Sequence, residues 1–242
     1  MNESPFAAPG QVRFLYHATH HKCGTHWLKR ILASLAQHYD LRFHNGLPKG
    51  QHPVDGIVFD EQSHLDPGEW KYFRGSHMIR DPRDVVASGY FYHLWTTESW
   101  AQQPRADLNG MSYQSHLQSI SREDGLIAEI NTCRHVFQKM SQWNYSNPAV
   151  CELKYETLFQ SPENEFRRMF RHYGFHPEAV EIAVQIARSL DFQSVAGRTP
   201  GVVVERTVTR SGVPGQWQNY FTDKVKTHFQ IVAGELLGVL GY

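Results

Sequence analysis

Three segments of this 242-residue chain place side chains able to hold and polarise a phosphate-like anion, two of them just beyond expected strands and the third in a loop. The first is His20–Leu28, HHKCGTHWL. A β-favouring run, Val12–Tyr16, leads into a loop with Lys22 and Gly24, and a helical pattern follows from Trp27 to Ala33. A strand, a Lys–Gly turn and a helix N-terminus offer unpaired backbone N–H groups and roughly half a positive charge to an anion. Thr25 is the expected N-cap and a hydroxyl donor. Lys22 is placed to meet an oxygen that becomes negative as a bond breaks. The loop lacks the G-x-x-x-x-G-K-[ST] pattern of the common triphosphate loop. Taken alone, it is also compatible with a plain strand–turn–helix connection.

The second segment is Ser76–His93, SHMIRDPRDVVASGYFYH. A short strand ends at Arg80, Asp81-Pro82 breaks it, and proline suits the first turn of the helix that follows. Ligands of open α/β sheets bind beyond the carboxyl ends of the strands, where Arg80 and Ser88 can both face one phosphate. A surface Arg–Asp cluster is the plainer reading. The third segment, Arg206–Phe221, RTVTRSGVPGQWQNYF, is a glycine- and proline-bearing loop that offers amides and Arg210.

In order and spacing these segments resemble the sulfotransferases that use 3′-phosphoadenosine-5′-phosphosulfate (PAPS). The family's P-K-S-G-T-T-W is matched by His21-Lys22-Cys23-Gly24-Thr25-His26-Trp27, and its R-[ND]-P-[KR]-D-V-x-V-S-x-Y by Arg80 to Tyr90. Its R-K-G-x-x-G-D-W-K-N-x-F-T is matched by Arg210 to Thr222, and its K-Y-E-D-L by Lys154-Tyr155-Glu156-Thr157-Leu158. The resemblance spans Val12 to Thr222. It implies sulfuryl transfer from PAPS, leaving 3′,5′-bisphosphate (PAP), to a small-molecule alcohol, phenol or amine, with no metal.

The same resemblance assigns roles. Lys22 stabilises the leaving phosphate. Lys22, Cys23, Gly24, Thr25, His26 and Trp27 surround the 5′-phosphosulfate, with Trp27 stacked on adenine. Arg80, Ser88 and Arg210 hold the 3′-phosphate, with Ser211 and the amide of Gly212. Tyr155 and Phe192 border the adenine. The general base is His64, in Ser63-His64-Leu65-Asp66-Pro67, the nearest match to the family's T-H-L-P. His93 and His77 are its competitors, and His77, inside a strand, reads as structural. Several positions depart from the pattern: Ser211 stands for Lys, His26 for Thr and Gln216 for Asp, and the family's dimer signature is not evident after Thr222. The oligomeric state therefore stays open. A metabolite kinase and an inactive nucleotide-binding protein are the alternatives.

Around these residues the pattern is β/α throughout, so the expected fold is a single α/β domain over residues 11–242, with a mostly parallel sheet flanked by helices, after a loose tail at 1–10. A loop-rich stretch is expected at Phe43–Gln51, a lid-like irregular stretch at Thr96–Gly110, and one long helix at Glu123–Trp143. Trp95, Trp100, Phe91, Tyr92 and Tyr113 are candidates for an acceptor pocket. Net charge is zero, which disfavours nucleic acid as a partner. Three widely spaced cysteines fit a reducing, cytoplasmic setting, and no membrane anchor is expected. His17, His20, His21, Cys23 and His26 cluster in sequence, but their spacing matches no zinc pattern.

Overall fold

Phe14–Thr19 (β1) is buried along its whole length, as a strand covered on both faces must be. With Phe43–Asn45 (β2), Gly56–Asp60 (β3), Phe73–Ile79 (β4) and Val150–Lys154 (β5), it forms one sheet in the order β2-β3-β1-β4-β5, every pairing parallel. The computed structural model describes residues 4–8, 10–46, 55–68, 70–207 and 209–242. In chain order the helices are α1 (Thr25–His38), α2 (Pro82–His93), α3 (Ser99–Gln102), α4 (Tyr113–Ser119), α5 (Arg122–Thr132), α6 (Arg134–Gln142), α7 (Tyr155–Gln160), α8 (Pro162–His172), α9 (Pro177–Ser189), α10 (Phe192–Ala196) and α11 (Asp223–Leu240).

The chain divides into two compact units. The first, Met1–Arg80 with Trp143–Arg198, contains the sheet, α1 and α7 to α10. Its core forms because α1 buries Leu28, Ile31, Leu32 and Leu35, a stripe at helical spacing, among Phe166, Met169 and Phe170 of α8 and the alanines of α9. Each such aliphatic contributes about 1.5–3 kcal/mol on burial. The second unit, Asp81–Gln142 with Thr199–Tyr242, is helical, with α11 packed on α5 and α6, and α2 on α5.

The α/β class and parallel sheet are as expected; several local details are not. β1 runs on to Thr19 because its parallel pairing with β4 continues to Met78, burying two polar residues, His17 and Thr19. His17 Nδ1 meets Ser76 Oγ at 2.7 Å, and that hydroxyl meets the Tyr173 hydroxyl at 2.6 Å. The described part of the tail is tied down. Ala7 N–H donates to Gly174 O, His176 N–H donates to Pro5 O, and Phe6 packs edge-on against Phe175. The helix expected at Glu123–Trp143 is two, α5 and α6, divided at Cys133. Thr96–Gly110 contains α3 and a short 3-10 turn at Ala106–Leu108. Phe43–Asn45 pairs as an edge strand, and residues 47–51 lie outside the described ones. No helix among the described residues is long and apolar enough to cross a membrane. All three cysteines are buried, and none forms a disulfide.

Candidate active site

In the first unit, four of the expected segments leave the carboxyl ends of neighbouring strands: the Lys22 loop after β1, Ser63-His64 after β3, Arg80 after β4 and Tyr155 after β5. The Lys22 loop turns sharply. Lys22 has φ 62° and Gly24 φ 80°, both left-handed. Gly24 pays no Cβ penalty there, whereas Lys22 carries strain of about 1–2 kcal/mol. A Cβ at Gly24 would also press on Met78 and Tyr155. Arg80 Nη1 donates to the Lys22 carbonyl at 3.2 Å, so the strained residue is held from the strand beside it.

Gly24 is the N-cap of α1, and this corrects the expectation for Thr25. Entry into the helix needs a left-handed residue, which only glycine supplies cheaply, so threonine falls one place later. Its hydroxyl instead donates to His20 O at 3.2 Å. The N–H groups of Gly24, Thr25 and His26 find no acceptor among the described residues, while Cys23 and Trp27 N–H donate to His20 O and Gly24 O. Three amides of the turn are therefore left open, and those of Cys23 and Trp27 are committed within the loop. Cys23 is fully buried, and burial pushes its thiol up to about 12. Trp27 leans edge-on against Phe166 at 5.4 Å, and its indole N–H is buried without an acceptor among the described residues. His26 is exposed; burial of part of its ring and the charges of Lys22, Lys29 and Arg30 lower its pKa.

Arg80 is 8% exposed, and its guanidinium lies 4.6 Å over the Tyr155 ring. Such a stacked, desolvated fork suits phosphate. The loop with His64 is fixed by Asp60, whose carboxylate accepts from the Leu65 and Gln62 amides and from the Tyr16 hydroxyl. Ser63 Oγ donates to Thr19 O at 3.0 Å, joining this loop to the end of β1. His64 itself is exposed and makes no hydrogen bond among the described residues. Phe192 opens α10, half-buried, with Arg198 over its ring at 5.2 Å.

In the second unit, Asp81 caps α2 and grips Arg83 through both carboxylate oxygens. Asp84, Ser88 and Phe91 fall on one stripe of α2. Asp84 accepts from the amides of Gly215 and Trp217 at 2.6 and 2.9 Å, and Arg83 stacks on Trp217 at 4.1 Å. Arg210 lies 3.8 Å over the Phe91 ring and donates to the Tyr220 hydroxyl. The structure thus brings Ser88 to the stripe that carries the 210–217 loop. Ser211 is buried, and its hydroxyl has no partner among the described residues. Gly212 takes φ 76°. Asp84 lies within the matched Arg80 to Tyr90 segment, but its role as acceptor for the 210–217 loop is not written in the sequence. The candidate pocket aromatics largely pack on one another: Tyr92 against Trp95, and Trp100 against both His93 and Tyr113. Among the described residues no group of three His, Cys, Asp or Glu is placed to hold a metal ion.

Three comparisons bear on this arrangement. The sulfotransferase domain family matches residues 77–241, a span that begins after the Lys22 loop. Human sulfotransferase 2A1 is 24% identical over 232 residues, covering 84% of this chain and 77% of its own. Among solved structures, mouse sulfotransferase SULT7A1 complexed with PAP superposes with a TM-score of 0.56 at 15% identity, covering 94% of this chain and 84% of that one. Retinol dehydratase in complex with androsterone and inactive cofactor PAP gives 0.55 at 13% identity, covering 96% and 83%.

Proposed function

Because the chain belongs to the sulfotransferase domain family, its reaction is sulfuryl transfer, and we propose that PAPS is the donor and that the Lys22 loop receives its phosphosulfate. The observation that carries this reading is the N-terminus of α1, where three amides without acceptors stand beside a Lys22 held left-handed by Arg80. Lys22 then meets the leaving oxygen as the S–O bond breaks, and in-line placement with charge stabilisation supplies most of the rate. His64, exposed on a loop that Asp60 fixes, takes the acceptor's proton.

The 3′-phosphate falls to Arg80 by its stacked fork and, on their motif matches, to Ser88, Arg210, Ser211 and Gly212. The orphaned Ser211 hydroxyl fits an anion's oxygen. Tyr155 and Phe192 are proposed to border the adenine, and Trp27 to stack on it. Residues 11–242 act as one catalytic domain. The acceptor is proposed as a small phenol or lipid-like alcohol, since retinol dehydratase was solved with androsterone and aromatics are dense in the second unit.

Titration calorimetry tests the donor. PAP is expected to bind about 10²-fold or more tightly than 5′-AMP, because two surviving charge-assisted hydrogen bonds contribute roughly 1.5–3 kcal/mol each. Arg80→Ala erases most of that preference. Equal affinity of the wild-type protein for both ligands overturns PAPS as donor. For the base, His64→Ala should lower kcat by about 10²–10⁴ with nucleotide affinity unchanged. Activity within about twofold of wild type removes His64 from the role and promotes another histidine.

A further inference from the structure

Behind the Lys22 loop runs a row of polar groups that the reaction as proposed leaves unused. His20 Nε2 lies 2.9 Å from His77 Nε2, His77 Nδ1 lies 2.7 Å from Glu152 Oε2, and Trp143 Nε1 donates to Glu152 Oε1 at 2.9 Å. His20 and His77 are buried, and Trp143 stacks on His77 at 4.0 Å between centroids. At the near end, His20 O accepts from the Cys23 amide and the Thr25 hydroxyl, and Ser63 Oγ is 3.5 Å from His20 Nε2. Glu152 is the member that reaches water, with 30% of its side chain exposed.

A nitrogen–nitrogen contact of this length needs one proton, carried by one ring and accepted by the other. Its owner is decided at the far end. When Glu152 is ionised it accepts from His77 Nδ1–H, so His77 Nε2 is a lone pair and His20 bears its proton on Nε2. When Glu152 is protonated it donates to His77 Nδ1, His77 donates from Nε2, and His20 bears its proton on Nδ1. The two states differ by one proton. In passing from the second to the first, the row loses one proton to solvent, and the two that remain settle on His77 Nδ1 and His20 Nε2. Both rings stay neutral in either state. Burial favours this, holding His77 down to about 3 and raising Glu152 to about 7. Asp60 on β3 and His17 on β1 face His77; Arg168 on α8, Tyr145 and Cys151 face Glu152, and Arg168 opposes its rise.

Resting on the reading of the Lys22 loop as the donor site, we infer that His20 is a positioning residue for sulfuryl transfer. Glu152, acting through His77, sets which nitrogen of the His20 ring bears the proton, and so whether the residue two places before Lys22 presents a donor or an acceptor at Nδ1.

The test reads the His20 ring directly, by ¹⁵N chemical shifts of the whole ligand-free protein across about pH 5.5–8.5. The expected result is a change of His20 tautomer whose midpoint coincides with the titration of the Glu152 carboxyl, and no change in Glu152→Gln, which still accepts from Trp143. A wild-type His20 that keeps one tautomer throughout overturns the inference, as does a change that survives in Glu152→Gln. No turnover or nucleotide is needed, so this outcome is separate from the fate of the PAPS reading. In the enzyme, Glu152→Gln should lower kcat about tenfold while KM for the nucleotide moves less than about twofold, because positioning Lys22 matters most in the transition state. A kcat unchanged in Glu152→Gln also overturns it.

Discussion

Each unit holds an imidazole–carboxylate pair at nearly equal distance: His77 Nδ1 to Glu152 Oε2 at 2.7 Å in the first, His93 Nδ1 to Glu129 Oε2 at 2.9 Å in the second. The surroundings differ. Glu129 is 0% exposed, and α2, α4 and α5 converge on it. The Tyr113 hydroxyl donates to Oε2 at 2.7 Å, and the Cys133 thiol reaches Oε1 at 3.5 Å. Gly89 makes the approach possible, since a Cβ there would collide with Oε1. Glu152 instead ends a line of two imidazoles and keeps one edge in water. A closed node of this kind fixes how helices pack, because each donor would be orphaned without it. An open line can exchange a proton with solvent and pass the change inward. The same pair of side chains therefore serves specification in one unit and communication in the other.

The largest expected effect breaks the closed node. Glu129→Ala removes a buried carboxyl from three donors and should cost about 3–5 kcal/mol in chemical denaturation. A loss under about 1 kcal/mol would mean that water replaces the carboxyl at little cost. Gly89→Ala comes next. Alanine in a helix interior gains about 0.5–1 kcal/mol over glycine, but displacing a carboxylate held by three partners costs more, for a net loss of about 1–3 kcal/mol. A stabilised Gly89→Ala protein would show the node to be pliable.

The smallest effect sharpens the open line. Glu152 is raised from 4.5 to about 7, so between those values the folded protein keeps a proton that the unfolded chain has lost, and stability falls as pH rises. His77 is lowered from 6.5 to about 3, so stability rises with pH across that window. From pH 4.5 to 6.5 the two oppose each other. Glu152→Gln removes only the first, so the variant's stability should climb more steeply there, by about one proton's worth of slope. Denaturant unfolding at a series of pH values checks it; parallel curves would show that the folded protein holds no extra proton on Glu152.

What was legible in sequence follows the same division between backbone and partner. Lys22-Cys23-Gly24, Asp81-Pro82 and the glycines of the 210–217 loop constrain the chain locally, so their turns and strand ends could be placed without knowing what surrounds them. Glu129 and His20 matter through groups far away in sequence, and nothing local marks either role; Asp84 and Ser211 fall within the matched segments, but Asp84's partners, the Gly215 and Trp217 amides, lie far along the chain. Thr25 shows the limit within a motif: its type suits a cap, but the left-handed turn gave that place to Gly24. The break at Cys133 was hidden because the apolar stripes of α5 and α6 continue across it.

One consequence of the Lys22 loop remains. Cys23 lies in its middle, fully buried, with a thiol pushed up to about 12 by that burial. At neutral pH it is neither reachable nor ionised, and an alkylating reagent can take it only from molecules whose loop has momentarily opened. Its labelling rate is then a built-in clock for that opening. A nucleotide seated on the loop slows the clock in proportion to its occupancy, which gives a binding measurement that consumes no acceptor.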